Sequence, residues 1–445
     1  MRKLVLFVGL MAVWLGRAAV GETLQLNLQP DQRVLLAGDP REVVVKIDLA
    51  SCVSKSRDKR GPVNIVAVLD RSGSMTGAKL EKAKQGVVGL IDQLNAEDTF
   101  ALIAYDDTVQ VLVPAQHIED REMLKRKVEQ ISPGGSTALY GGVERGAEEL
   151  QKFCKKSNIN RVILLSDGLA NVGPSSTPEL KALGRRLAQR GFSVSTIGVG
   201  DDYNEDLMSG LAEASDANYY YVQDAEKLPG IFAKELGQLL AVTARDIRIE
   251  IVCPDGVEPI ELIGRPETFS GRKTIVELSP LGSGQSRYLF LRCKVKSDRE
   301  MQSRDLAMVN LNYVDELNGA RRQSLTQKVE IGFTKDDAKA KASEDRAIVA
   351  ERELQTNALA KDEAMAKSDA GDYRTASATL DKQADKLTSA ASSAPAKYKA
   401  QLNEEAQNAR TRAKQLQQEV MTPALRKTIQ NESYQQKNAK QNTSP

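Results

Sequence analysis

Almost purely aliphatic runs alternate with helical patterns through the middle of the chain. The first run, residues 63–69, reads VNIVAVL and leads directly into a polar turn. Such a run predicts a strand buried on both faces of a parallel sheet. Further strands are predicted at 99–105, 161–166, 192–199 and 219–222, and helices at 76–94, 121–130, 139–153, 178–190, 204–214 and 227–240. This alternation predicts a doubly wound, mainly parallel, Rossmann-like α/β sheet with helices on both faces.

Strand-like patterns mark both flanks of this α/β segment, which we place at residues 61–240. Period-two alternation occurs in residues 22–58, and strand-like runs return after residue 240, with Asn318-Gly319 as a hairpin signal between two of them. Because residues 22–58 are too few to fold alone, we expect them to join residues 243–334 in one antiparallel β-sandwich. The α/β segment would then be inserted in this sandwich or flanked by it.

The composition shifts to Ala, Lys, Gln and Glu from residue 335 onward, where three helical patterns follow. We predict an α-helical region over residues 335–430. Its break at residues 369–373 resembles the turn of a tetratricopeptide-type hairpin, with a loosely packed tail as the alternative. Residues 431–445 are polar and are expected to be disordered.

The first 21 residues have the pattern of a secretory signal peptide. Arg2 and Lys3 precede an apolar run over residues 4–15, and small residues follow near position 18. The run is too short to span a bilayer, and no later stretch reaches the ~18 apolar residues of a membrane helix. We therefore expect an exported protein, periplasmic or at the cell surface, without an integral membrane segment after cleavage.

Charge and cysteine content bear on which ligands and cross-links the protein could have. The chain has 62 Lys and Arg residues against 60 Asp and Glu residues, a balance that gives no electrostatic argument for binding nucleic acid. The four cysteines match no zinc spacing. In an oxidising compartment, disulfide pairing among Cys52, Cys253 and Cys293 is left open, whereas Cys154 is interpreted as a buried residue or a lone thiol.

Oxygen-bearing side chains follow two of the predicted strands and lie in one further loop. Asp70, Ser72 and Ser74 follow the first strand, Asp167 follows the strand at 161–166, and Thr137 precedes a helix. Open α/β sheets bind ligands beyond the carboxyl ends of their strands. Carboxylate and hydroxyl oxygens are hard donors that suit magnesium, manganese or calcium rather than zinc or copper.

This pattern resembles the metal-ion-dependent adhesion site of the von Willebrand factor type A (VWA) domain family, over about residues 62–240. That family combines a D-x-S-x-S motif with a Thr in a second loop and an Asp in a third. By motif, the positions here are Asp70, Ser72, Ser74, Thr137 and Asp167, with Ser136 as the one ambiguous neighbour. In outline, the whole chain looks like exported bacterial proteins that join such a domain to a sandwich and a helical tail. The resemblance implies Mg²⁺ (or Mn²⁺ or Ca²⁺) and a partner protein whose Asp or Glu carboxylate completes the metal coordination.

Signals of catalysis are absent from the sequence. There is no G-x-x-x-x-G-K-[ST], no H-E-x-x-H and no G-x-S-x-G, and the single histidine, His117, is interpreted as a surface residue. We therefore expect a cation-dependent adhesion or scaffolding module rather than an enzyme. Two alternatives stay open. One is a structural envelope scaffold acting through its helical tail, with the metal only stabilising the loops, and the other is an accessory subunit of a metal- or ATP-dependent enzyme.

Other polar residues at strand ends have weaker interpretations. Asp106-Asp107 and Asp201-Asp202 are read as solvated turn carboxylates, with a second cation site as the alternative. Arg71, within the metal loop, either is solvated or meets an acidic group of a partner.

Overall fold

The computed structural model describes residues 19–20, 23–53, 61–155, 158–297, 299–418, 421–437 and 441–442. Apart from Ala19–Val20, the predicted signal peptide lies outside these residues, and so do residues 54–58 of the predicted N-terminal strand region. Within the described residues, no helix combines the length and the apolar character needed to cross a membrane.

Strands and helices follow each other in the order expected from the hydrophobic pattern, with additions at both ends. The strands are β1 Ala19–Val20, β2 Leu24–Pro30, β3 Val34–Leu36, β4 Arg41–Ser51, β5 Val63–Asp70, β6 Thr99–Tyr105, β7 Val109–His117, β8 Ile159–Ser166, β9 Phe192–Val199, β10 Tyr219–Val222, β11 Val242–Val252, β12 Val257–Leu262, β13 Lys273–Leu278, β14 Leu281–Gly282, β15 Gln285–Val295, β16 Met301–Asp315, β17 Arg321–Thr334 and β18 Gln441–Asn442. The helices are α1 Ala78–Gln93, α2 Arg121–Glu129, α3 Leu139–Lys152, α4 Thr177–Gln189, α5 Glu205–Ala214, α6 Leu228–Leu240, α7 Asp337–Ala342, α8 Arg346–Asp369, α9 Tyr373–Ser393, α10 Ala396–Gln417 and α11 Pro423–Lys437.

The central sheet has the strand order β10-β9-β8-β5-β6-β7 and is parallel except for β7, which runs antiparallel to β6. All eight residues of β5 are buried, because helices cover both faces of the sheet. Helices α1, α2 and α6 pack on one face, where Ile65 and Leu69 point, and α3, α4 and α5 pack on the face of Val66 and Val68. The predicted doubly wound α/β sheet is confirmed.

Two further six-stranded sheets pack face to face as a sandwich and share one hydrophobic core. One has the order β1-β2-β4-β15-β12, with β18 beside β15, and the other has the order β13-β11-β16-β17-β3, with β14 beside β11. Strand β4 is antiparallel to β15 over ten residue pairs, from Arg41 opposite Val295 to Ala50 opposite Ser286. The N-terminal strands and the strands after residue 242 therefore share a sheet, and the α/β segment lies between β4 and β11 in the chain.

The cysteines and the histidine take structural positions. Cys253 and Cys293 are buried in the core of the sandwich, whereas Cys52 and Cys154 are half-buried. All four cysteines are described, and none of them is cross-linked. His117 is exposed at the end of β7, as expected, and lies edge-on against Phe153.

Helices α8, α9 and α10 form a packed bundle rather than a loose tail. Small and aliphatic residues from all three helices build two buried clusters, one around Leu387 and Leu402 and the other around Leu380 and Leu416. Gly371, with a φ of 79°, lies in the turn between α8 and α9, where a left-handed backbone conformation suits glycine.

Helix α11 corrects the expectation that residues 431–445 are disordered, since residues up to Lys437 are helical. Tyr434 is buried in a core cluster of the α/β domain, and its hydroxyl donates a 2.7 Å hydrogen bond to the carbonyl of Ala217. Lys427 pairs with Glu205 at 3.0 Å. Composition gave the wrong prediction here because several polar side chains of α11 form ion pairs with other elements.

Candidate metal centre

Asp70 is the last residue of β5 and is fully buried at the carboxyl end of the central sheet. Its Oδ1 accepts a 2.8 Å hydrogen bond from the backbone N–H of Ser72, and its Oδ2 accepts a 2.6 Å bond from the hydroxyl of Ser166. Burial raises the pKa of the Asp70 carboxyl and the nearby Asp167 carboxylate adds to the rise, while the hydrogen bonds from Ser166 and Ser72 oppose it.

Two serine hydroxyls connect Asp70's loop to the next strand end. Ser72 caps a short 3-10 turn, Gly73–Met75, and its hydroxyl lies 3.2 Å from that of Ser74. Ser74 in turn donates a 2.7 Å hydrogen bond to Oδ1 of Asp167, a fully buried residue directly after β8. The loops after β5 and β8 are therefore bridged by a hydroxyl.

Thr137 lies in a third loop, which backbone hydrogen bonds hold against the loop that follows β5. Thr137 is 4 % exposed, whereas its neighbour Ser136 is exposed to solvent. The Thr137 Oγ1 lies 3.3 Å, and the Ser74 Oγ 3.5 Å, from the point that a β-carbon on Gly168 would occupy. The two hydroxyls thus flank Gly168, all five predicted residues converge on one edge, and the geometry favours Thr137 over Ser136.

Three residues that contact the predicted set were missed in the sequence. Lys79, in the first turn of α1, donates a 2.5 Å bond to Oδ2 of Asp167. Ser166 donates to Asp70, and the side-chain oxygen of Asn171 accepts from the backbone N–H of Thr137 at 2.8 Å. Lys79 could have been predicted, because a lysine in the first turn of the helix that follows the D-x-S-x-S loop lies beside that loop.

Arg71 and Asp106 correct two sequence interpretations. Arg71 is half-buried and forms a 2.7 Å ion pair with Asp106, so its charge is paired within the domain. Asp106 is buried, and although burial alone would raise the pKa of its carboxyl, hydrogen bonds from Thr108 and the charge of Arg71 lower it. Asp201 and Asp202 are exposed, which agrees with solvated turn carboxylates.

The donor set fits a hard divalent cation. Asp70 and Asp167 bring two buried carboxylates to one place, with three hydroxyls around them and Lys79 as their basic neighbour. Oxygen ligands of this kind are preferred by magnesium, manganese and calcium. No group of three or more His, Cys, Asp or Glu side chains is arranged to hold a metal ion in the described part of the chain, and the candidate centre itself combines two carboxylates with hydroxyls.

Comparison with known protein families identifies the α/β segment. The sequence profile described as the von Willebrand factor type A domain matches residues 64–234. These residues form a VWA domain. The match runs from β5 into α6 and so includes all five candidate ligands. VWA domains are generally protein-interaction modules and generally bind a divalent metal.

Relatives of the chain share more than the VWA domain. The uncharacterized protein sll0103 of Synechocystis sp. is 26% identical over 280 residues, which are 60% of this chain and 66% of that protein. A von Willebrand factor type A structure from Catenulispora acidiphila has a TM-score of 0.67 at 20% identity and covers 85% of this chain and 88% of its own. The ArnB paralog VWA2 of Sulfolobus acidocaldarius has a TM-score of 0.61 at 17% identity, with 93% and 97% covered. At these identities the solved structures show a common fold.

Proposed function

We propose that this protein is a divalent-cation-dependent adhesion or scaffolding module of the cell envelope, in which the VWA domain binds a protein partner. The observation that carries the proposal is the convergence of side chains from three loops on one sheet edge. The residues that would hold Mg²⁺ (or Mn²⁺ or Ca²⁺) are Asp70, Ser72, Ser74, Thr137 and Asp167. The bound cation would supply a coordination position for an Asp or Glu carboxylate of the partner.

The charge of the site supports an anionic ligand. Asp70 and Asp167 carry two negative charges and Lys79 carries one positive charge, so the cluster has a net charge of −1. With a dication the same cluster carries +1, and the three hydroxyls add no charge. Ser74 is exposed to solvent, which leaves a side of the cluster open to a partner. An excess positive charge on that side attracts a carboxylate.

Metal binding is tested first, by isothermal titration of Mg²⁺, Mn²⁺ and Ca²⁺ into the purified chain. Wild type should bind at least one of them saturably, and Asp70→Asn, which keeps the side-chain shape but removes the charge, should abolish binding. Asp202→Asn is the matched control, because Asp202 is an exposed carboxylate near the end of β9 at the same edge of the sheet. Absence of saturable binding to wild type, or equal binding to Asp70→Asn, would contradict the proposal.

Partner binding is tested by capture from envelope extract with Mg²⁺ or with EDTA. Proteins retained by wild type and by Asp202→Asn should be released by EDTA and should not be captured by Asp70→Asn. Capture that survives both EDTA and the Asp70 substitution would instead favour a scaffold that acts through its helical tail.

Export to the envelope is supported by the signal-peptide pattern of residues 1–21. The mass of the protein recovered from periplasmic or surface fractions should correspond to a chain without this segment. A chain of full mass confined to the cytoplasmic fraction would refute the localisation.

A further inference from the structure

The central sheet of the VWA domain is open at one end, where β10 is its last strand. Strand β10 runs parallel to β9, and the carbonyls of Asn218 and Val222 accept backbone hydrogen bonds from the β9 side. Because successive residues of a strand point their backbone groups to opposite sides, those of Ala217, Tyr219 and Tyr221 point to the open edge. Unpaired N–H and C=O groups on such an edge are a template for pairing with another chain.

Helix α11 covers this edge with its side chains. The side-chain oxygen of Asn431 accepts a 3.4 Å hydrogen bond from the backbone N–H of Tyr221. Gln435, one turn later, donates a 3.0 Å hydrogen bond to the carbonyl of Tyr219. Two alternate residues of β10 thus find in α11 the acceptor and the donor that a neighbouring strand would offer. A helix laid over a sheet edge is one of the ways in which proteins keep that edge from pairing with another chain.

The attachment of α11 to the VWA domain is largely polar. Among the described residues of the helix, Tyr434 is the one that belongs to a core cluster of this domain, and its hydroxyl donates a 2.7 Å hydrogen bond to the carbonyl of Ala217. At the beginning of the helix, Arg426 pairs with Glu205 at 2.6 Å and with Asp206 at 2.7 Å. Ion pairs of this kind add little net stability. The helix can therefore leave the edge while the sheet stays folded.

The edge of β10 is complementary to itself. In an antiparallel pair, two residues directly opposite each other can exchange both of their backbone hydrogen bonds. When two copies place their β10 strands side by side around a two-fold axis next to Tyr220, Tyr219 of one copy lies opposite Tyr221 of the other. Symmetry then produces the second pair. Because the backbone groups of both residues point away from β9, this pairing leaves the bonds between β9 and β10 intact.

We propose that α11 is an intramolecular cover of a strand-pairing edge, and that a second copy of this chain pairs with β10 when the cover is released. In the covered state, Asn431 and Gln435 occupy the backbone groups that the second copy needs. The two occupants of the edge therefore exclude each other. The inference rests on the contacts of α11 with β10 and is independent of the divalent-cation proposal.

The test loosens α11 by a charge reversal in the full chain. Arg426→Glu places an acid among the three carboxylates that Arg426 contacts, and hydrogen exchange with mass spectrometry should become faster in peptides from α11 and β10. Sedimentation velocity should then show a dimer with a Kd of about 100 µM or tighter, a dimer that wild type should lack. Arg410→Glu is the matched control, because Arg410 is paired within the helical tail. This control should behave as wild type in both measurements.

A second substitution identifies the surface that forms the dimer. Tyr221→Pro, added to Arg426→Glu, removes an edge-facing N–H and should abolish the dimer while hydrogen exchange in β9 stays unchanged. A dimer that persists in this double variant forms elsewhere and overturns the proposal. A variant in which α11 exchanges faster but which stays monomeric at about 100 µM overturns it as well.

A stronger variant is needed if Arg426→Glu does not fold or leaves the hydrogen exchange of α11 unchanged. Asn431→Pro breaks the helix in its middle and removes the acceptor of the Tyr221 N–H, so it takes the place of the charge reversal. The same dimer is expected. Unchanged exchange in β10 for Asn431→Pro would mean that α11 does not protect the edge, and this result would be equally decisive.

Discussion

Helix α6 of the VWA domain is fixed to the central sheet by one fully buried carboxylate, that of Glu235. It accepts hydrogen bonds from Ser195 of β9, from the amide of Asn218 at 2.7 Å and from the hydroxyl of Tyr220 at 2.8 Å. The buried guanidinium of Arg161 lies 3.9 Å away and donates to Ser195. Arg161 belongs to β8, Ser195 to β9 and Tyr220 to β10, and Asn218 immediately precedes β10. The network therefore ties α6 to three adjacent strands.

Replacing this carboxylate should destabilise the VWA domain strongly. Glu235→Leu leaves Arg161 as an unpaired buried charge and leaves three donors without their acceptor. Breaking a buried ion pair from one side costs about 3–5 kcal/mol. The separate losses are not additive, so we expect the free energy of unfolding to fall by about that amount. Glu235→Gln keeps the shape and one acceptor oxygen and should cost about 1–3 kcal/mol.

The effect should depend on pH in a defined direction. Burial alone would raise the pKa of Glu235, but Arg161 and the hydrogen bonds from Ser195, Asn218 and Tyr220 hold it below its usual value of 4.5. A carboxyl whose pKa is lower in the folded state contributes stability above its unfolded pKa and loses it as the pH falls through the folded pKa. The gap between wild type and Glu235→Gln should therefore be constant at neutral pH and shrink only below 4.5.

The assay is hydrogen exchange with mass spectrometry across a urea series, because peptides from α6 and β8–β10 assign the loss to this domain. Glu148→Gln is the control. Glu148 is an exposed carboxylate of α3 in a 2.7 Å ion pair with Arg145, and its loss should cost about 1 kcal/mol or less. A loss below about 1 kcal/mol for Glu235→Leu, or a wild-type to Glu235→Gln gap that does not change with pH, would refute the role given to this network.

Two further predictions concern α1. Lys79→Met removes a positive charge from the candidate metal centre. Unit charges about 4 Å apart interact by about 1 kcal/mol in water, so the Mg²⁺ affinity measured by titration should rise about fivefold or more. Lys82→Met is the control and should leave the Mg²⁺ affinity unchanged. Gly86→Ala would place a β-carbon 2.4 Å from the ring of Phe232 on α6 and should cost about 1–3 kcal/mol in urea denaturation. Gly89→Ala, where the added carbon meets no atom within 4 Å, should instead stabilise by up to about 1 kcal/mol.

The central sheet could be predicted closely from sequence because its strands are buried on both faces. A strand such as β6 is buried at every position, and its bounds, Thr99–Tyr105, are those expected from the hydrophobic run. Strand β12, Val257–Leu262, was missed because it lies at a sheet edge, contains Pro259 and buries few positions. The hairpin at Asn318-Gly319 joins β16 and β17 as expected, but positive φ occurs at Gly319 and Ala320 instead of Asn318.

The candidate metal centre was predictable as a set of positions but not as a network. Its D-x-S-x-S loop is a local motif. Asp167 lies beside this loop because β5 and β8 are neighbouring parallel strands, and this placement does not depend on side-chain conformation. The ion pair of Arg71 with Asp106 and the contact of Lys79 with Asp167 depend on where long, flexible side chains end. The Arg71 contact is decided by packing between loops and has no signature in sequence spacing, whereas the place of Lys79 just after the D-x-S-x-S loop could have suggested its contact.

The C-terminal helices show the limit of reasoning from composition most clearly. Lys361 of α8 is almost fully buried, yet it pairs with Glu405 at 2.9 Å and with Glu432 at 3.0 Å, and Arg412 binds the same Glu432. A polar segment is expected to be disordered because it cannot bury enough apolar surface. That expectation fails when its charges meet opposite charges from other elements. Buried ion pairs add little net stability but penalise every arrangement in which one partner is left alone. We infer that the ion pairs of α11 select its orientation on the VWA domain, while Tyr434 supplies the apolar contact.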